Sequence, residues 1–214
     1  MRVVGLLLAG GRSRRLGKDK RFLEFEGKPL IARAYEALLE ATDAVWVLLA
    51  DPADEPRVRR ALGDRARGLR VLLDPEPGAG PLGALAGALP RVRGDYALLL
   101  AVDYPFITGS FLSSLRAHLE AQSPKPDVLV PLWRGVPQVT CALYAATLHE
   151  ELRRAVARGE RSLRRAVEGL PSPRVRRLEE ALWQRWTDAP DRLFRNVNTP
   201  DDLAGLTPPS PSGS

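Results

Sequence analysis

Four short runs, at residues 3–9, 44–50, 69–73 and 96–102, are apolar at almost every position and rich in Val and Leu. A strand with one wet face alternates apolar and polar residues, so runs without alternation predict strands covered on both sides. Between them, residues 29–40, 54–62 and 81–92 carry apolar side chains at helical spacing. Strands that alternate with helices in this way form a parallel sheet with helices on both faces, a doubly wound α/β domain.

The texture changes after Asp103. A helix is expected over 110–121 with Thr108 as its cap, then strands over 127–132 and 136–144 with a hairpin turn at Trp133-Arg134-Gly135. The sheet should therefore become mixed toward the C-terminal part. Helical periodicity returns at 148–157 and 162–168. Residues 1–206 read as one domain, and the Pro/Ser-rich residues 207–214 as a disordered tail. Trp183, Trp186 and Cys141 read as core.

Ligands of open α/β sheets bind beyond the carboxyl ends of the strands, which makes those ends the place to look for chemistry. The first run ends in Gly10-Gly11, the third in Asp74 and the fourth in Asp103. After the glycines come Arg12, Arg14, Arg15, Lys18, Lys20 and Arg21, against one acid, Asp19. Glycines let backbone N–H groups approach phosphate oxygens, so this segment predicts an anion-binding loop. It is neither a Walker loop nor a dinucleotide fingerprint. Five residues separate Gly11 from Gly17 where a Walker loop has four, Asp19 stands where the hydroxyl should be, and no G-x-G-x-x-G follows this first run.

A carboxylate at the end of a buried strand beside a phosphate loop suits Mg²⁺, which takes one or two carboxylates plus substrate phosphates. Asp103 is the candidate ligand. One cysteine and two separated histidines, His118 and His149, argue against a thiolate or imidazole metal centre. The glycine-rich stretch at 78–89 offers a helix start near Gly80, and Asn196 and Asn198 precede a Thr-Pro-Asp helix start.

The formal net charge is +6, with lysine only at positions 18, 20, 28 and 125, which fits anionic partners. The arginine-rich residues 153–165 could touch nucleic acid, but no aromatic residue is interleaved for stacking, so no nucleic-acid partner is expected. No run approaches the ~20 apolar residues of a membrane span, and the early apolar run precedes the arginines instead of following them as a signal peptide would. A cytoplasmic protein that does not engage membranes is expected.

The motifs together resemble the nucleotidyltransferases that open with L-A-G-G-x-S-x-R-M-G-x-x-K, and within them the molybdenum cofactor guanylyltransferases. Residues 8–11, Arg15, Gly17, Asp19 and Lys20 match the opening motif, with Leu16 in place of Met. The segments GPLGAL (80–85), VDYPF (102–106), PQVTCALY (137–144), GERSLRR (159–165) and NVNTPDDL (196–203) follow in the family's order, so the resemblance spans nearly the whole chain.

The resemblance implies a single Rossmann-like three-layer sandwich and an Mg²⁺-dependent transfer of GMP from GTP to molybdopterin, releasing pyrophosphate. It implies nucleotide contacts from Leu8, Ala9, Gly10, Gly11, Gly17, Lys20, Asp74, Gly80 and Asp103, with Lys20, Arg15 and Asp103 as the catalytic set and Asp103 as the metal ligand. It places Arg161, Asn196 and Asn198 toward molybdopterin. A monomer or weak oligomer is expected, with other proteins of molybdenum cofactor synthesis or use as possible partners. Val102 replaces a cysteine frequent in the family, and near position 48 a leucine stands where some relatives carry a nucleotide-binding Asn. A cytidylyl- or sugar-phosphate transferase, or a nucleotide-binding module without catalysis, are the alternative readings.

Overall fold

Alternate residues of one strand feed two separate cores: Val3, Leu7 and Ala9 point into one hydrophobic cluster, Val4, Leu6 and Leu8 into another. The missing alternation in the sequence thus has its expected cause, a sheet covered on both faces. The structure, a computed structural model, describes residues 1–10, 19–75, 78–197 and 202. In chain order the strands and α-helices are β1 (Val3–Leu8), β2 (Glu24–Phe25), β3 (Lys28–Pro29), α1 (Leu30–Ala41), β4 (Ala44–Leu49), α2 (Glu55–Leu62), β5 (Arg70–Leu73), α3 (Gly80–Ala88), β6 (Tyr96–Ala101), α4 (Gly109–Glu120), β7 (Val128–Trp133), β8 (Val136–Pro137), β9 (Cys141–Ala145), α5 (His149–Ala157), α6 (Leu163–Glu168), β10 (Val175–Leu178) and α7 (Glu180–Trp183).

The main sheet runs β10-β7-β9-β6-β1-β4-β5, with β8 attached to β7. β5, β4, β1 and β6 are mutually parallel, while β9 lies antiparallel between β6 and β7. Helices α1, α2 and α4 contribute to the first core, and α3, α5 and α6 to the second. This is the single α/β domain with a mostly parallel sheet, mixed toward its C-terminal part. The chain moves from β1 outward to β4 and β5 and then crosses to β6 on the other side of β1. That reversal opens a crevice at the carboxyl ends of β1 and β6.

The helices lie where their periodicity put them, and Thr108 caps α4 by accepting a hydrogen bond from the Phe111 N–H at 3.2 Å. The single strand expected at 136–144 is instead two. β8 pairs Val136 with Trp133, β9 pairs Tyr144 with Val128, and the register slips by three residues between them. The turn at Arg134 and Gly135 has φ of 52° and 72°, which starts the hairpin, and Gln138, Val139 and Thr140 then bulge out of it. Cys141 N–H closes that bulge on the Gln138 carbonyl at 2.9 Å.

Trp183 and Cys141 are fully buried, and the indole N–H of Trp183 donates to the Leu132 carbonyl at 2.7 Å. β10 and the small β2–β3 hairpin are strands that the apolar pattern did not announce. The expected tail at 207–214 lies outside the described residues. Among the described residues, no helix is long and apolar enough to cross a membrane.

Candidate active site

Lys20 and Asp103 are 83 residues apart, yet Lys20 Nζ lies 2.8 Å from Asp103 Oδ2. Asp103 follows β6, and Lys20 begins a 3-10 turn, Lys20–Phe22, whose N-cap is Asp19. Both side chains are largely withdrawn from solvent, 21% and 16% exposed. The second oxygen of Asp103, Oδ1, is buried and, among the described residues, accepts no hydrogen bond. An unpartnered buried carboxylate oxygen is costly, and a hard cation is the partner that best explains it.

This pair closes one side of a cavity of about 310 Å³ at the strand ends, within the range of small-ligand sites. Leu8 and Gly10 line it at the end of β1, Arg21 beside Lys20, Ala50 after β4, Asp74 after β5, Ala101, Val102 and Asp103 at the end of β6, and Gly78, Gly80, Pro81 and Ala84 around the start of α3. A Cβ on Gly10 would meet Ala50 at 3.4–3.5 Å, ordinary contact, so packing within the chain does not demand glycine there. Gly80 has φ +62° and Gly78 φ +103°, conformations that favour glycine and aim the α3 amino terminus at the cavity.

Ala9, expected at the nucleotide, is 1% exposed. Its N–H donates to the Leu48 carbonyl and its carbonyl accepts from Arg21, so both of its backbone groups are engaged behind the cavity wall. Gly11, Arg12, Arg14, Arg15, Gly17 and Lys18 lie outside the described residues, as does Asn198. Arg21 lines the cavity too, but it is 1% exposed and its charge is held by Asp19 and Asp54.

A second cavity, of about 480 Å³, adjoins the first through Thr140, which lines both. Tyr104, Trp133, Arg134, Gln138, Arg164, Arg195 and Asn196 surround it. The Val197 N–H donates to the Asp103 carbonyl at 2.9 Å, which brings the Asn196 segment across the end of β6. The Tyr104 hydroxyl bonds Gln138 Oε1 at 3.2 Å and Thr140 Oγ1 at 3.0 Å, so the β8–β9 bulge forms the partition between the cavities. Burial pushes that hydroxyl well above the ordinary tyrosine range and keeps it protonated.

Arg161 lines neither cavity: its carbonyl is 3.9 Å from where a Cβ on Gly80 would stand, and its guanidinium is turned back to the Val156 carbonyl. Arg164, not singled out from the sequence, is the arginine of that segment that lines the second cavity. The polar Gln138 and Thr140 inside an apolar strand reading were the available signal for the bulge.

Among the described residues no group of three or more His, Cys, Asp and Glu side chains is gathered to hold a metal. A cation at Asp103 would take its remaining ligands from a substrate, which suits Mg²⁺ on phosphates. The charge is also sharply localised. Residues 151–177 hold nine arginines and three glutamates, an excess equal to the whole chain's net charge of +6.

A sequence profile described as the MobA-like NTP transferase domain matches residues 5–177. A probable molybdenum cofactor guanylyltransferase of Methanothermobacter thermautotrophicus is 33% identical over 92% of this chain and 95% of its own length. One from Chloroflexus aggregans is 34% identical over 95% of this chain and 92% of its own. Among solved structures, molybdopterin-guanine dinucleotide biosynthesis protein A of Archaeoglobus fulgidus superposes with a TM-score of 0.73 at 26% identity, covering 94% of this chain and 95% of that one.

Proposed function

The chain belongs to the MobA-like NTP transferase family, and on that premise we propose that it transfers GMP from GTP to the terminal phosphate of molybdopterin, forming the guanine dinucleotide cofactor and releasing pyrophosphate. The observation that carries the reading is the Lys20–Asp103 pair, with Oδ1 buried and unpartnered among the described residues, in a cavity that a second one adjoins through Thr140. One cavity suits the nucleotide and the other a phosphorylated acceptor, with Thr140 between them.

The acceptor phosphate is already an anion. Its oxygen forms a bond to the α-phosphorus of GTP as the bond from that phosphorus to pyrophosphate breaks, so no side chain needs to remove a proton. This agrees with the histidines lying elsewhere: His118 packs against Trp186, and His149 bonds the Ala146 carbonyl. Lys20 supplies a mobile ammonium that can exchange Asp103 for phosphate oxygens, where charge grows in the transition state. Asp103 would hold Mg²⁺ together with substrate phosphates, and the bound ion would neutralise phosphoryl charge as a Lewis acid. The α3 amino terminus at Gly80 adds a helix-dipole end of the right sign for an anion.

The test is calorimetric titration with GTP, CTP, ATP and UTP in Mg²⁺, followed by pyrophosphate release with each nucleotide in the presence of molybdopterin. The expected result is tightest binding and fastest release with GTP. Equal affinity for all four, or faster release with CTP, would overturn the guanylyl assignment.

A further inference from the structure

Arg21 is the only arginine among the buried residues of the described chain, at 1% exposure. Its Nε and Nη2 donate to the Asp19 carboxylate at 2.8 and 2.5 Å, Nη2 also lies 2.9 Å from Asp54 Oδ2, and Nη1 donates to the Ala9 carbonyl at 2.9 Å. One guanidinium therefore joins three segments: the end of β1, the turn that carries Lys20, and the 3-10 turn Pro52–Asp54 that leads into α2. A planar fork of donors serves three directions at once, which a lysine ammonium on a flexible stem does not.

Adjacent residues of the same short turn, both at the cavity wall, thus have different partners. Lys20 reaches the cavity and Asp103, and Arg21 reaches back beneath the end of β1. Arg21 also lines that cavity, but at 1% exposure its charge is compensated within the chain by Asp19 and Asp54. A role in filling space would be met by an apolar side chain, without the desolvation of a charge and two carboxylates. What the buried ion cluster adds is direction. We infer that Arg21 is a positioning residue for nucleotidyl transfer, which holds Lys20 in register with Asp103 and the β1 end. The inference rests on the reading of Lys20 as the lysine that binds the nucleotide's phosphates.

The experiment compares Lys20→Ala, Arg21→Met, Arg21→Lys, Asp54→Asn and the Lys20→Ala/Arg21→Met double variant, by GTP affinity and by kcat/KM. Arg21→Met and Asp54→Asn should each lower kcat/KM by about 10- to 100-fold, the scale of a misplaced catalytic group. Arg21→Lys should not restore activity. In the Lys20→Ala background, Arg21→Met should add less than about twofold, because residues that act through one another are not additive.

Full multiplication of the two effects would show a general structural prop and overturn the inference. Impairment by Lys20→Ala but not by Arg21→Met or Asp54→Asn would overturn it alone. GTP binding unchanged by Lys20→Ala would remove the reading of Lys20 and the inference with it. If Arg21→Met does not fold, Asp54→Asn, which leaves Arg21 paired with Asp19, carries the same comparison against Lys20→Ala and in the Lys20→Ala/Asp54→Asn double variant.

Discussion

Replacing Asp103 with Asn separates two effects that the geometry assigns to one carboxylate. In the structure Asp103 Oδ2 holds Lys20 Nζ at 2.8 Å, while Oδ1 is buried without a partner among the described residues. Toward GTP without a divalent ion, the carboxylate is a competing acceptor for Lys20 and a like charge beside the phosphates. Asp103→Asn would remove both, so binding in EDTA should tighten by about 1 kcal/mol, roughly fivefold, the scale of one repulsion at partly solvated distance. In Mg²⁺ the sign reverses. The amide is a poor ligand, and losing the carboxylate contact should remove about 2–3 kcal/mol of ion-dependent affinity, roughly 30- to 150-fold. Titration calorimetry of both proteins, each with EDTA and with Mg²⁺, reads the double difference. A Mg²⁺ increment that survives in the Asp103→Asn variant, or weaker binding in EDTA, would refute the assignment of Oδ1 to a cation and of Oδ2 to Lys20.

Four further outcomes follow from the same structure. Gly10→Ala should shift Tm by less than about 2 °C, since its Cβ meets only ordinary contacts at Ala50, while raising the KM for GTP several-fold by narrowing the cavity. Gly80→Ala places a side chain at φ +62° and should cost about 1–2 kcal/mol, lowering Tm by roughly 2–8 °C in thermal denaturation. Burial alone would raise the Asp19 carboxyl, but hydrogen bonds from Arg21 and its charge outweigh that and hold it below the usual carboxylate range. Its stabilising contribution is present at neutral pH and lost as pH falls through the depressed value, so wild type should lose Tm more steeply than Asp19→Asn toward about pH 3. Neutralising Arg153, Arg154, Arg158 and Arg165 together, all exposed on the arginine-rich segment, should leave kcat unchanged and flatten the salt dependence of kcat/KM.

The layers of the sheet were legible because burial on both faces leaves a direct mark, the unbroken apolar runs of β1, β4 and β6. β10 left no such mark: at the sheet edge, Arg176 and Arg177 of its Val-Arg-Arg-Leu are exposed, and the strand is held by pairing with β7. The β8–β9 interruption was hidden for a different reason. A bulge is a matter of register between two strands: the polar Gln138 and Thr140 mark a break in the apolar run, but they do not give the three-residue slip. At the site, Lys20, Asp74, Gly80 and Asp103 could be read because strand ends are fixed by the fold. The partition formed by Tyr104, Gln138 and Thr140 depends on that register slip, and a linear pattern does not contain it.

Charge is where sequence and structure differ most in meaning. Lys20 and Arg21 are neighbours with the same sign, and nothing in their spacing separates them. Burial does: an ammonium one-fifth exposed beside a half-satisfied carboxylate is available to a ligand, whereas a guanidinium 1% exposed with its donors on Asp19, Asp54 and Ala9 is part of the frame. The frame explains why the available one is well placed. A lysine side chain has four rotatable bonds and can offer precise chemistry only if its backbone is held, and here the next residue holds it. A buried ion cluster of this kind contributes little net stability against an apolar substitute. Its retention beside the Lys20–Asp103 pair is therefore better explained by orientation of the site than by stability, which is the distinction that the Lys20 and Arg21 double variant measures.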